Sequence, residues 1–172
     1  ENSVLMRDVV VSANRYEVDR KEAATIVNVL TPKLFVTTNS VNLAEGLNYQ
    51  PGLRVENTCQ NCGVNAVRIN GLEGKYSQIL IDSRPVFSSL AGVYGLEQIP
   101  VSMIDRVEVI RGGGSAIFGS SAIGGVVNII TREPIRNSLE ISNTTQLIGG
   151  KSWDNVTSMN AALVSSNRKV GA

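Results

Sequence analysis

No histidine occurs in the 172 residues. Imidazole acid–base chemistry, the Ser-His-Asp and Cys-His nucleophile pairs and nearly every ordinary zinc site are thereby removed. An excess of either charge is absent too: 16 Lys and Arg face 15 Asp and Glu, a formal net charge of +1. So balanced a chain has no basic surplus for nucleic acid and no acidic tail. No stretch approaches the roughly 18 apolar residues of a membrane helix. The best apolar runs, Gln78-Ile79-Leu80-Ile81 and Val126-Val127-Asn128-Ile129-Ile130, are strand-sized. No signal peptide and no internal repeat is visible. The chain opens on Glu1 rather than Met, as expected of a processed or excised piece of something longer. Together these absences point away from an enzyme and leave no catalytic or metal-binding residue to name.

What is present suits one domain, or one plus an appendage, long enough to bury a core without disulfides or metal. Asp8-Val9-Val10-Val11-Ser12-Ala13 is a β-branched run that forms a strand only if a partner supplies the other edge. Residues 15–22 are charged and linker-like, and residues 25–30 read as a strand. Thr31 is placed to cap a short helix with Pro32 at its first position. Ser40 is placed to cap a second, whose Leu43, Ala44 and Leu47 share a face, with Glu45 away from the capping-box position. Pro51-Gly52 ends it. Residues 53–56, 66–70 and 105–110 alternate, Asn70-Gly71 favours a tight turn, and residues 78–82 are apolar on both faces like a covered strand. Residues 83–95 form a Ser-, Gly- and Pro-rich loop, and a short helical turn is expected within 96–103, broken by Pro100. Strands mixed with short helices predict an α+β or mixed α/β domain ending near residue 134. Beyond it, residues 138–148 and 156–164 alternate around Gly149-Gly150. Strands of roughly ten residues span an outer membrane when tilted, and the same pattern suits an ordinary soluble hairpin.

Cys59 and Cys62 lie in a loop-like stretch rather than at a helix start, which argues against a thioredoxin-like thiol. A zinc site would need two more ligands, and neither Cys nor His is left to supply them. A loop-closing disulfide in an oxidising compartment fits best. Gly112-Gly113-Gly114-Ser115 follows a strand but lacks both the dinucleotide spacing and the Gly-Lys-Ser/Thr ending of a phosphate loop. Arg68, Arg106, Glu108 and Arg111 stand at strand positions. They suit either a solvated face or a buried interface in which charges must pair.

Several stretches together resemble the plug domain of a TonB-dependent outer-membrane receptor. The most specific is Ile104-Asp105-Arg106-Val107-Glu108-Val109-Ile110-Arg111-Gly112, then Ser115-Ala116-Ile117-Phe118-Gly119, then Ala122-Ile123-Gly124-Gly125-Val126-Val127-Asn128-Ile129-Ile130-Thr131. Val67-Arg68-Ile69-Asn70-Gly71 and Ile79-Leu80-Ile81-Asp82 match the family's pair of strands, with Ser83 in place of the usual glycine. Leu43-Ala44-Glu45-Gly46-Leu47 before Pro51-Gly52-Leu53 matches the helix and turn that precede them. The run from Asp8 to Arg15 resembles the TonB box, the segment that pairs with the energy-transducing protein by strand addition; an ordinary first plug strand is the alternative.

The resemblance implies an α+β plug fold, with a mixed sheet of about four to five strands and short helices, followed by a truncated barrel hairpin. Residues 1–22 would be the N-terminal flexible segment, 23–134 the plug and 135–172 the first strands of the barrel. It also implies a plug inside a barrel of about 22 strands, in the outer membrane of a Gram-negative bacterium, with the N-terminus periplasmic. Substrate would bind at loop tips, and the TonB C-terminal domain would pull the N-terminal segment to open a path. The partners implied are TonB, the protein's own barrel, the outer membrane through that barrel and a transported small ligand, with no nucleic acid. No resident cofactor is implied, although the cargo can be a metal chelate. Asn57, Gln60, Asn61, Arg84, Phe87, Ser88 and Tyr94 become candidate substrate contacts, on loops 56–65 and 83–94. Arg68, Arg106, Glu108 and Arg111 become the candidate plug–barrel lock. Without the barrel, Arg68 and Arg111 are expected to be exposed or differently paired. Residues 138–164 are expected to be disordered, packed on the plug or paired with another copy, and not to join the core sheet.

The family carries ferric siderophores, haem, cobalamin and, in some branches, glycans. The Cys-containing loop and the Arg84-Pro85 step resemble the iron-chelate, haem and cobalamin receptors more than the glycan importers. Two readings from other classes stay open: a periplasmic domain with a redox-active Cys-x-x-Cys, and a signalling or protein-binding module.

Overall fold

The computed structural model describes residues 9–11, 18–19, 21–23, 25–59, 64–86, 96, 99–112, 115–133 and 137–164. A five-stranded mixed sheet lies at its centre, in the order β3 (Val27–Leu30), β8 (Ile104–Arg111), β9 (Gly125–Thr131), β6 (Ser77–Ile81), β7 (Arg84–Pro85). Neighbours are antiparallel except β6 and β9, which run parallel. The middle strands β8 and β9 are the alternating and apolar runs of the sequence. Such residues suit a sheet covered on both faces.

The alternation sends each strand's residues to two separate clusters. Val107, Val109, Val127 and Ile129 face one cluster, with Phe35, Leu43 and Leu47. That side carries α1 (Pro32–Thr37), α2 (Leu43–Leu47) and the separate hairpin of β4 (Leu53–Cys59) and β5 (Val64–Ile69). Ile110 and Val126 face the opposite cluster, with Val27, Leu80, Ala122 and Val10. Val10 comes from a two-stranded ribbon of β1 (Val9–Val10) and β2 (Val18–Asp19). A short helix α3 (Ser115–Phe118) and a 3₁₀ turn at Ser120–Ala122 complete that side.

Several local expectations hold and others are corrected. Asn70 and Gly71 both take positive φ, +52° and +82°, closing the expected tight turn. Pro32 opens α1, although the Thr31 side chain makes no capping hydrogen bond. The cap of α2 is Asn42 rather than Ser40: its side-chain oxygen accepts the Glu45 N–H at 3.0 Å. Glu45 thus stands three residues after the cap, and its carboxylate accepts the Val41 N–H at 2.8 Å. This differs from a capping box only in that Glu45 reaches the N–H of Val41, one residue before the cap, rather than that of Asn42. Ser40 instead shares a hydrogen bond with the Thr38 hydroxyl. The turn near Pro100 follows the proline, at Val101–Met103, because proline fits a helical start and not an interior. The strand expected at 25–30 begins at Val27.

Gly46 lets the two helices touch. A Cβ there would lie 2.1 Å from Cε1 of the buried Phe35 ring. Gly46→Ala is expected to lower stability by about 1–3 kcal/mol, as overpacking does, and urea denaturation reads it; an unchanged midpoint would refute this contact.

Residues 138–162 form a fourth sheet, β10 (Ser138–Ile148) paired in register with β11 (Ser152–Ala162). It does not join the five-stranded sheet. The face with Leu139, Ile141, Leu147, Trp153 and Met159 is exposed, Trp153 to 75%. The other face contributes Glu140, Ser142, Thr144 and Val156 to a groove shared with Val36, Val41 and Val101. One ion pair, Arg132–Glu140 at 3.6 Å, crosses it. The side toward the central domain is thus mostly polar, and the outward side carries its large apolar residues toward the two ends of the hairpin, around a central hydrogen-bonded cluster of Asn143, Thr145, Asn155 and Thr157.

Candidate functional site

The N-terminal ribbon meets the sheet at a point where two polar residues interrupt an apolar surface. Val10 is 0% exposed among Val27, Ile110 and Val126. The next residue, Val11, donates its backbone N–H to Glu108 Oε2 at 2.8 Å. Glu108 lies in the middle strand β8 and is itself 0% exposed. Its Oε1 accepts from Arg106 Nε at 2.9 Å. Arg106 also reaches Asp105 at 2.8 Å. Burial works against the Arg106 charge, but the hydrogen bonds to Glu108 and Asp105 outweigh it and raise its pKa above the ordinary guanidinium value. The side chain therefore stays charged, and the Glu108 carboxylate keeps a fixed counter-charge.

Directly opposite Glu108 in the β8–β9 register stands Asn128, also 0% exposed. Its side-chain oxygen accepts the Ser83 N–H at 3.0 Å and its amide nitrogen donates to Ser83 Oγ at 3.2 Å. Asp82 accepts from the Thr131 N–H at 2.9 Å and from the Thr131 hydroxyl at 2.7 Å. Asp82 and Ser83 form the turn between β6 and β7, at φ +47° and +64°. Asp tolerates this conformation better than Ser does. A cavity of about 600 Å³ joins Val11, Asp82, Ser83, Asp105, Arg106 and Thr131. The ribbon, the buried ion pair and the β6–β7 turn therefore share one end of the sheet.

The arginines at Arg68 and Arg111 lie elsewhere. Glu56 pairs with both Arg54, at 3.3 Å, and Arg68 across the β4–β5 hairpin. Arg111, at the far end of β8, donates to the Pro51 carbonyl. The four charges grouped from the sequence thus divide. Arg106 and Glu108 pair with each other under the N-terminal ribbon, whereas Arg68 and Arg111 bond near the β4–β5 hairpin.

Of the candidate substrate contacts, Asn57 is exposed in β4, opposite the buried Asn65. Arg84 is exposed in β7, immediately after the turn at the ribbon's end of the sheet. Gln60, Asn61, Phe87, Ser88 and Tyr94 lie outside the described residues, as do Asp8, Ser12, Ala13 and Cys62. Cys59 closes β4, and its side chain is also outside the described set, so the disulfide is not placed. Sequence reasoning missed Asn128, Asp82 and Ser83 as parts of a site. The one available signal was an amide inside the apolar run 126–130. Among the described residues, no helix is long and apolar enough to cross a membrane, and no group of three or more His, Cys, Asp or Glu could hold a metal ion.

This geometry holds a peptide segment, Val10–Val11, against the sheet. The family model for the TonB-dependent receptor plug domain matches residues 19–126. The chain belongs to the TonB-dependent receptor plug family. The plug's mixed sheet with few short helices is the fold of that family, which is one of transport receptors rather than enzymes. Among solved structures it is similar to the ferric enterobactin receptor PfeA of Pseudomonas aeruginosa, at 25% identity and TM-score 0.62 over 83% of this chain and 23% of that one. The siderophore receptor PirA of Acinetobacter baumannii gives 25% identity and TM-score 0.62, over 80% of this chain and 22% of that one. FpvA of P. aeruginosa, in complex with a ferric pyoverdine, gives 17% identity and TM-score 0.70, over 93% and 20%, which is a likeness of fold alone. The plug chain thus spans less than a quarter of each of these receptors. Receptors of this kind are outer-membrane proteins of Gram-negative bacteria.

Proposed function

We propose that this chain is the gating and substrate-binding part of an outer-membrane active transporter for a metal chelate, of the ferric siderophore class. In this reading residues 1–22 are the N-terminal flexible segment, with residues 8–13 its partner-binding strand, 23–134 the plug and 135–172 the first strands of the surrounding barrel. The observation that carries it is the docked ribbon: a short β-branched strand is held at one end of a family plug by a few contacts. Freed from the dock, its unpaired edge can add to a sheet of the TonB C-terminal domain, as β-augmentation requires. Force applied there acts on β8 and the β6–β7 turn beside it. The siderophore class is supported by PirA, described as a siderophore receptor, and by PfeA, described as a ferric enterobactin receptor. Haem and cobalamin are the competing cargoes.

The hairpin supports the barrel assignment. Its plug-facing side is mostly polar, as a lumen wall is, and its outward side exposes Leu139, Ile141, Leu147, Trp153 and Met159, as a lipid face does, on either side of a central polar cluster that includes Asn143 and Asn155. Arg68 and Arg111 are then the residues that would reach barrel carboxylates, exchanging their partners Glu56 and Pro51. Asn57 and the loop residues Gln60, Asn61, Phe87, Ser88 and Tyr94 would contact cargo.

The test is uptake by the intact receptor. Deleting residues 8–13 is expected to abolish energy-dependent import of a ferric catecholate chelate while leaving its binding to the cell surface unchanged. Equal loss of binding, or import that persists, would refute the coupling role. Preferential binding of haem or cobalamin over the ferric chelate would refute the siderophore class.

A further inference from the structure

The contacts under the ribbon are unusual in chemistry. Burying a carboxylate in a sheet costs several kcal/mol unless it is paired and hydrogen-bonded. An apolar side chain at position 108 would pack against the neighbouring Ile110 and Val126 at no such cost. What the carboxylate gains is a main-chain donor from a segment 97 residues away, the Val11 N–H. A hydrogen bond to a charged acceptor is stronger than one between neutral groups. Arg106, anchored by Asp105, holds the opposite oxygen and so fixes which way Oε2 points. Val10 supplies the apolar half of the same dock. Ribbon β1–β2 is itself only two residue pairs long, too short to hold the segment in place unaided.

We propose that Glu108 is the latch of the N-terminal segment and Arg106 its positioning residue, and that together they set how often the segment is undocked. The proposal rests on the reading of residues 8–13 as the partner-binding segment. It assigns this pair to the plug's own strand rather than to a barrel wall. The undocked fraction scales the apparent affinity of any partner that binds only the free segment. Weakening the latch must therefore strengthen capture.

Hydrogen exchange in the intact receptor tests the latch without any partner. Glu108→Gln keeps the shape and one acceptor oxygen but loses the charge. It is expected to speed exchange of the Val10 and Val11 amides about tenfold, the loss of roughly 1.4 kcal/mol from a charge-assisted bond. Amides of Val109 and Val127 are expected to keep their rates. Arg106→Gln, at the edge of the dock, should give the same pattern with a smaller factor. Val10→Ser should speed exchange in the same segment with Glu108 intact. Unchanged exchange at Val10 and Val11 in Glu108→Gln and Arg106→Gln would overturn the proposal. So would equal acceleration at Val109 and Val127 in both, which would make the pair a support of the fold. Binding of the isolated TonB C-terminal domain then tests the underlying reading separately. About tenfold tighter binding to the Glu108→Gln receptor supports both. Faster exchange with unchanged binding upholds the latch and refutes the segment as TonB's target.

Discussion

Gly125→Ala is expected to cost this chain a large part of its stability. Gly125 opens β9 opposite Arg111, at φ +146°. L side chains rarely adopt that conformation, and holding one there costs about 1–3 kcal/mol. A Cβ would also lie 2.3 Å from the Ile110 carbonyl oxygen and 3.0 Å from Ile69 Cδ1. The first obstacle is backbone of the central strand, so no rotamer change relieves it. Moving β8 away would break the ladder between the two middle strands. Overpacking adds about 1–3 kcal/mol, so the sum is about 2–6 kcal/mol against a typical domain stability of about 5–15 kcal/mol. A guanidinium titration of the purified chain reads this as a large fall in midpoint or as failure to fold. A midpoint within error of the parent would show that β9 enters the sheet differently.

Gly125 also shows what the sequence did and did not disclose. The run Gly124-Gly125-Val126 reads easily as a strand start, and the alternation at 105–110 reads as its neighbour. Both central strands and the Asn70-Gly71 turn follow from local pattern, since period-2 burial and positive φ are local properties. The helix caps follow less well. Ser40 and Asn42 are both good caps two residues apart, and the burial of Leu43 with the reach of Glu45 to Val41 decides between them. Gly46 looks like a weak helix residue until Phe35 is placed against it.

The site was harder still. Val11 meets Glu108 across 97 residues, and Ser83 meets Asn128 across 45. No spacing rule encodes such contacts. Alternation marked Glu108 as lying on a face, but both faces of this sheet are covered. Which cover it received, the chain's own N-terminus, is a fact of topology. Arg68 and Arg111 carried the same ambiguity, and here each found a partner inside the chain, Glu56 and the Pro51 carbonyl. Such pairing is what an unpaired charge near a packed surface would otherwise lack, at a cost.

That cost makes Asn128→Asp the most informative substitution in the dock. The replacement has nearly the same shape, so it opens no cavity and creates no clash. It keeps an acceptor for the Ser83 N–H and loses the 3.2 Å donation to Ser83 Oγ. The main change is charge. Positions 108 and 128 are directly opposite and both fully buried, so their Cβ atoms lie about 4.5–5.5 Å apart. Two carboxylates would then share the Arg106 guanidinium. An uncompensated buried charge costs about 3–5 kcal/mol. The sign of the pH dependence follows. Burial and the neighbouring charge raise the new carboxyl's folded pKa above its unfolded value of about 3.9. Between those two values the folded state binds more protons, so stability falls as pH rises. The penalty is small below the unfolded value and complete above the folded one. Asn128→Leu, which loses the turn contacts without adding charge, should show no such slope. Urea titrations of both variants across the acid range decide it. Equal and pH-independent losses would mean that Glu108 and Asn128 do not face each other in the folded chain.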